Sequence, residues 1–277
     1  MSAPRMPTAR RRRRRDVASP GEANPGEEAL RAGPSMSRQY TNGAPPGIRV
    51  RESRAVGTRR PKGLFVTFEG IEGSGKSTQL VRAAERLKSL GVPVLSTREP
   101  GGTAVGASLR EVLLGWSGRL DPASELLLMF ADRRQHLSEE IEPALAAGQV
   151  VLCDRYTDAS RAYQGAGRGL GEETVDLLHR TFCRRESDVT YLVDCPVETA
   201  LARVRARSGG TGDRFEREAL SFHRRVRAAY RRRARREPKR FVLLDGRRAP
   251  EVVFAALWDD LSRRLARHGL LPRGIRP

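Results

Sequence analysis

The stretch Gly70-Ile71-Glu72-Gly73-Ser74-Gly75-Lys76-Ser77 fits the pattern GxxxxGK[ST]. Chemistry explains the spacing. Glycines let the backbone curl so that successive N–H groups converge on one phosphate chain. The lysine adds a mobile charge for the outer phosphates, and the Ser77 hydroxyl suits a Mg²⁺ ligand. A helix starting here adds its N-terminal N–H groups and dipole to the anion site. Only four of the 52 basic residues are lysines, yet the motif's lysine position holds one. Gly70 to Thr78 is therefore read as a nucleotide cradle, in preference to a glycine-rich turn without a ligand.

A cradle alone does not separate a kinase from a GTPase, motor or helicase. Three further clusters bear on the choice. Thr97-Arg98-Glu99-Pro100-Gly101-Gly102-Thr103 follows a strand, where Arg98 could clamp a phosphate with two parallel hydrogen bonds. Asp154-Arg155-Tyr156 follows another strand, so Asp154 is placed to hold Mg²⁺ and Arg155 to reach a second phosphate. Arg203, Arg205 and Arg207 share a helical stretch that runs into Gly209-Gly210-Thr211-Gly212 and then Asp213-Arg214. Glycines beside arginines suit a small lid that closes charge onto a migrating phosphoryl group. Each cluster also has a plain reading, as a surface turn, a salt bridge or a solvated basic face.

The elements that must position these residues are legible in the hydrophobic pattern. Leu64–Phe68, Val92–Ser96, Val150–Cys153, Thr190–Val193 and Arg240–Leu244 read as strands. Ser77–Leu90 reads as a helix stopped by Gly91, Ala123–Ala147 as mostly helical with an interruption near Pro143, and Val252–Leu265 as a closing amphipathic helix. Strands alternating with helices predict an α/β fold, a parallel sheet with helices on both faces and ligands at the strand C-termini.

The formal net charge is +19, and residues 1–60, with fourteen Arg, no Lys and five acids, carry +9 of it. That segment is poor in hydrophobics and is expected to be disordered. Its block Arg10–Arg15 reads either as an arm touching nucleic acid or membrane or as a solvated tail. The three cysteines, Cys153, Cys183 and Cys195, lack a CxxC pair. With no secretory or membrane-spanning apolar run, a cytoplasmic setting is expected.

Taken together, FEGIEGSGKST (Phe68–Thr78), TREPGGT (Thr97–Thr103), Ala131–Arg133 and DRYTDASRAYQG (Asp154–Gly165) resemble thymidylate kinase over residues 62 to about 265. The resemblance implies the P-loop NTPase three-layer fold with a lid. The expected domains are an extension at 1–61, a kinase domain at 62–268 and a tail at 269–277. The implied reaction is transfer of a phosphoryl group from ATP, with Mg²⁺, to dTMP. Carried over by position, Gly70, Ile71, Glu72, Gly73, Ser74, Gly75, Lys76, Ser77 and Thr78 would bind ATP, and Ser77 and Asp154 the metal. Glu72 would lie near the dTMP sugar, Arg98 and Arg155 on its phosphate, Arg133 and Ser160 at the thymine, and Tyr163 and Gln164 beside the sugar. The family's stacking Phe falls on Met129, with Phe130 one residue nearer, so Phe130 is taken as the stacking ring and Met129 stays as the alternative. No basic residue occupies the variable loop positions. Arg203, Arg207 and Arg214 would then supply catalytic charge with Lys76 and Asp154, as in the lid-arginine, bacterial-type branch. A homodimer that needs neither membrane nor nucleic acid is also implied. The alternatives are a kinase of dUMP or CMP, or an ATP-switched nucleic-acid-binding protein.

Because residues 1–60 have no core to contribute, deleting them is expected to leave the urea midpoint and the turnover of the purified chain nearly unchanged. A large loss of either would show that the arm docks on the domain.

Overall fold

The computed structural model describes residues 63–208, 213–216 and 218–272. The expected extension at 1–61 and the lid glycines Gly209, Gly210 and Gly212 lie outside the described residues. Among the described residues five strands form: β1 (Leu64–Glu69), β2 (Val94–Arg98), β3 (Val150–Asp154), β4 (Val189–Asp194) and β5 (Phe241–Asp245). They pair in the order β2-β3-β1-β4-β5, and every pair is parallel. β1 is buried along its whole length. A strand covered on both faces reads as a continuous apolar run, which is why LFVTFE shows no alternation.

The two faces of β1 feed separate layers. Leu64, Val66 and Phe68 pack beneath α1 (Lys76–Ser89), through Leu80, Ala83, Ala84 and Leu87, and beneath α9 (Pro250–Arg267), through Val253, Leu257, Leu261 and Leu265. Phe65 faces the other way, with Val151 and Cys153 of β3, onto Leu126 and Phe130 of α3 (Pro122–His136). The rest of that second layer surrounds Leu192 of β4 and includes α7 (Val197–Ser208) and α8 (Leu220–Arg236). Between these lie α2 (Ala104–Gly115), α4 (Glu142–Ala146), α5 (Thr157–Ser160) and α6 (Glu172–Leu178). The result is a three-layer α/β fold.

Local signals fix the ends. The Asp121 carboxylate accepts from the N–H groups of Ala123 and Ser124, with Pro122 in the first turn, so α3 starts there. Thr103 caps α2 by accepting from Gly106 N at 3.0 Å. The expected break near Pro143 falls earlier. A π-helical turn, Leu137–Ile141, separates α3 from α4, and Pro143 sits inside α4. Proline lacks an N–H for the carbonyl four residues back and its ring crowds that carbonyl, so the wider turn forms just ahead of it. β2 begins at Val94 rather than Val92, after Pro93, whose carbonyl accepts from Val150 N at 2.9 Å. Leu270 and Leu271 pack against the core, so the folded chain runs past the expected boundary at 268.

Register gives the fold its functional consequence. Phe68 of β1 and Arg98 of β2 both stand opposite Asp154 of β3. The three segments that leave these strands therefore emerge side by side at one edge of the sheet.

Candidate active site

β1 ends at Glu69, and the chain turns through Gly70–Gly75 before α1 begins. A Cβ at Gly73 would lie 2.1 Å from the carbonyl oxygen of Ala200, so no larger residue fits without moving α7. Gly75 caps α1 at φ 103°, a left-handed conformation that glycine adopts without strain. Beyond the turn, Ser77 Oγ donates to Asp154 Oδ2 at 2.5 Å, and Lys76 Nζ lies 4.0 Å from Asp154 Oδ1. That Oδ1 is buried without a hydrogen-bond partner. Burial, and then the Arg155 charge, hold the Lys76 ammonium below its ordinary pKa.

Gly73 to Thr78, Arg98, Asp154, Arg203 and Arg207 line a cleft of about 530 Å³. Met129, Arg133, Ser160, Tyr163, Gln164 and Phe215 line a smaller cavity of about 80 Å³. Glu72, Glu99, Arg110, Arg155 and Asp213 line both, so the two compartments meet along a charged seam.

Arg155 is the hub of that seam. Its backbone is left-handed, at φ 74°. Nη2 donates to Glu72 Oε1 at 2.6 Å and to the Tyr163 hydroxyl at 3.1 Å, while Nη1 donates to Gly70 O at 3.1 Å and to the Tyr230 hydroxyl at 3.3 Å. Tyr163 in turn donates to Glu72 Oε2 at 2.6 Å. Burial works to raise the Glu72 pKa, but Arg155 and Lys76 hold the carboxyl below its usual range. Arg98, in contrast, is exposed and makes no hydrogen bond or ion pair with a described residue.

The smaller cavity has an equally committed wall. Arg133 is buried, with Nε on Glu99 Oε2 at 2.7 Å and the two Nη groups on Ser160 Oγ and Tyr156 O. Glu99 Oε1 pairs with His136 Nδ1 at 3.0 Å, and His136 Nε2 meets Thr97 Oγ1 at 2.7 Å. Glu99, His136 and Cys153 lie close enough together to suggest a metal site. Both ring nitrogens of His136 are already engaged, so the cluster reads as a hydrogen-bonded support for Arg133. The Gln164 amide donates to Glu125 Oε1 at 2.7 Å.

A family model described as thymidylate kinase matches residues 68–257. The thymidylate kinase of Pelobacter propionicus is 49% identical over 201 residues, spanning 70% of this chain and 92% of that relative. That of Pseudomonas putida is 51% identical over 197 residues, spanning 70% and 94%. The chain belongs to the thymidylate kinase family. The crystal structure of thymidylate kinase from Ehrlichia chaffeensis superposes with a TM-score of 0.60 at 33% identity, covering 73% of this chain and 99% of that one. In this thymidylate kinase family member, two expected placements need correction.

Phe130 lines neither cavity. Its ring is in the core with Phe65 and Leu126, beneath the Arg133 guanidinium at 4.8 Å. The shift of one residue along α3 turns it inward and leaves Met129 at the cavity, with Phe215 supplying the aromatic wall. Arg214 also lines neither cavity, because the fully buried carboxylate of Glu125 draws its Nη2 to 2.6 Å while Nε donates to Leu113 O at 3.1 Å. At the start of the loop the Gly70 carbonyl accepts from Arg155, and the Ile71 side chain is packed with Ala159 and Tyr163.

Residues not anticipated are Arg110, Phe215 and Tyr230. Arg110 donates to Pro100 O at 2.8 Å, and burial and then Arg98 lower its pKa. An arginine on an amphipathic helix and aromatics in a turn or a helix interior carry no distinguishing spacing, so only tertiary placement exposes them.

Beneath the seam, Glu69 is fully buried. Its Oε1 accepts from Tyr156 N at 2.8 Å and its Oε2 from the Tyr230 hydroxyl at 2.7 Å. Burial first, then the Asp158 charge, push its pKa up to about 8, against the pull of Arg155. A raised folded pKa means a contribution fully present below the unfolded value and lost as pH rises toward 8. Glu69→Gln removes the titration. Its advantage over the native chain in unfolding free energy, read from urea titrations, is expected to be small at pH 5 and to grow to roughly 3 kcal/mol by pH 8. A pH-independent difference would refute the assignment.

Proposed function

We propose that this chain transfers the γ-phosphoryl group of ATP to the phosphate of dTMP, giving ADP and dTDP. The observation that carries the proposal is the meeting of the two compartments. One is floored by a phosphate cradle and the other walled by Arg133, Ser160 and Tyr163, and cationic groups of Arg110 and Arg155 stand on the shared seam. A donor and an acceptor phosphate would approach each other there. Family membership supports the choice of dTMP as acceptor.

In this reading the N–H groups of Gly73–Thr78 and Lys76 hold the donor phosphates. Ser77 and Asp154 would hold the metal. Their donor set is hard oxygen, with Asp154 Oδ1 lacking a hydrogen-bond partner, and that suits Mg²⁺. Bound there, Mg²⁺ would offset charge on the donor phosphates. Arg98, Arg110 and Arg155 hold the acceptor phosphate. One of its oxygens attacks the γ-phosphorus as the bond to the β-phosphate oxygen breaks, and that oxygen leaves with the electron pair. The attacking oxygen is already ionised near neutral pH, so no general base is required. Position and charge are the protein's contribution. Arg203 and Arg207 stand over the migrating group from α7. Glu99, anchored by His136, fixes Arg133 and Ser160 at the base end. The Tyr163 ring stacks against Arg155 at 4.8 Å and crowds the sugar.

We further propose a homodimer in the cytoplasm. Support comes from exposed apolar side chains at Val105 and Val112 of α2 and Leu127 of α3, a greasy face for a single chain to present to water. No helix among the described residues is long and apolar enough to cross a membrane.

A coupled ADP-release assay across dTMP, dUMP, CMP and the other monophosphates tests the assignment, and equal or better turnover with another acceptor would sink it. Lys76→Ala is expected to lower turnover by roughly 10²–10³ with the fold intact. Near-normal turnover in that variant would end the reading of the cradle. Arg98 and Arg207 should separate binding from chemistry. Arg98→Ala is expected to weaken dTMP binding roughly tenfold or more, because it meets a phosphate present in the ground state. Arg207→Ala is expected to lower kcat in single-turnover assays with little change in dTMP affinity. If removing Arg203 and Arg207 together leaves kcat intact, the charge on the migrating group comes from elsewhere.

A further inference from the structure

The two N–H groups that flank the left-handed Cα of Arg155 are both held by the end of β1. Its own N–H donates to Phe68 O at 3.0 Å, and the next one, of Tyr156, donates to Glu69 Oε1 at 2.8 Å. A strained residue persists only where its surroundings fix it, and consecutive residues of a buried strand do so here. The second oxygen of Glu69 reaches the same arginine from its other end. Glu69 Oε2 accepts from the Tyr230 hydroxyl at 2.7 Å, and that hydroxyl accepts from Arg155 Nη1 at 3.3 Å. One fully buried carboxyl thus grips the peptide of Arg155 directly and its guanidinium through a single buried tyrosine.

The contacts of the guanidinium are of two kinds. Glu72 and Tyr163, on Nη2, line the acceptor compartment, where the sugar would share them. Gly70 and Tyr230, on Nη1, line neither compartment, and nor does Glu69 behind them. This rear attachment lies out of reach of either substrate. Nε has no hydrogen-bond partner among the described residues, so it is the donor left over for a phosphate. A guanidinium is planar, so fixing Nη1 also fixes where Nε–H points.

We propose that Glu69 and Tyr230 are positioning residues that aim Arg155 at the acceptor phosphate from behind, touching neither substrate. The arrangement holds wherever the Glu69 proton sits. Ionised, Oε2 accepts from Tyr230; protonated, the carboxyl donates to the Tyr230 oxygen, and Oε1 accepts from Tyr156 N–H in both states. The proposal rests on the reading that Arg155 meets the dTMP phosphate.

Dissociation constants of the full chain for dTMP, thymidine and ATP, measured by calorimetry, separate this role from general support of the fold. Thymidine lacks the phosphate and does not sense where Nε–H points. Tyr230→Phe removes one oxygen and is expected to raise the dTMP constant roughly fivefold, with thymidine and ATP within twofold of the native chain. Glu69→Gln keeps an acceptor for Tyr156 N–H and a donor for the Tyr230 oxygen, and is expected to bind dTMP within twofold of the native chain. The proposal is overturned if Tyr230→Phe binds dTMP within twofold of native, or loses thymidine as strongly as dTMP. It is also overturned if Glu69→Gln loses as much dTMP affinity as Tyr230→Phe. Failure of Tyr230→Phe to fold would overturn it too, because the oxygen would then be holding the fold and not one side chain. Arg155→Ala tests the underlying reading separately. Equal losses of dTMP and thymidine in that variant would show that Arg155 does not meet the phosphate.

Discussion

The whole site hangs on the placement of one guanidinium. Arg155 follows directly on the buried strand β3, adopts a left-handed backbone, and donates its own N–H to Phe68 O at 3.0 Å. Left-handed geometry is unfavourable for a residue with a Cβ and persists only where surrounding contacts enforce it. Here the enforcement is electrostatic. Asp154 turns toward Ser77 and Lys76, while Arg155 turns the other way toward Glu72 and Tyr163. Two consecutive side chains of opposite charge thereby serve the two compartments, and the strained residue is the boundary between them.

The arginines of the cleft differ in what they must give up to meet a phosphate. Arg98 gives up only water. Arg110 and Arg203 are held by neutral carbonyls, of Pro100 and Gly246, at 2.8 Å each. Arg207 has a long 3.4 Å contact to Glu216 on a largely exposed side chain, which solvent weakens. Arg155 alone among them is bound at close range to a shielded carboxylate.

Much of this was legible in the residues themselves. Five strands, the cradle and the positions of Arg98 and Asp154 follow from apolar runs and from glycine, lysine and hydroxyl spacing, because those features act locally. What escaped was tertiary. Met129 against Phe130 is a question of which side of α3 faces a cavity, and the register of a helix against its neighbours is set by packing as a whole. Arg214 looked like one more lid arginine because a sequence shows charge but not the buried carboxylate, Glu125, that captures it. Arg110 and Tyr230 carry no local signal at all.

Glu125 shows how the lid's far end is secured. Its carboxylate, fully buried on α3, receives Gln164, Arg168 and Arg214, and Arg168 also pairs with Glu218. Removing one partner of such a cluster leaves charge uncompensated in a low-dielectric place, so the segment from Asp213 onward is held more firmly than its short length suggests. Arg203 and Arg207 lie on the other side of the glycines, on α7, with contacts to a carbonyl and to Glu216. The side chains are thus unequally held, Arg214 by a buried carboxylate after the glycine segment, Arg203 and Arg207 by a carbonyl and a largely exposed ion pair before it, although α7 itself is anchored in the core through Ala200, Leu201 and Val204. Arginines that must follow a phosphate through its transfer need mobile side chains on a firm support, and that is what the cleft-lining pair has.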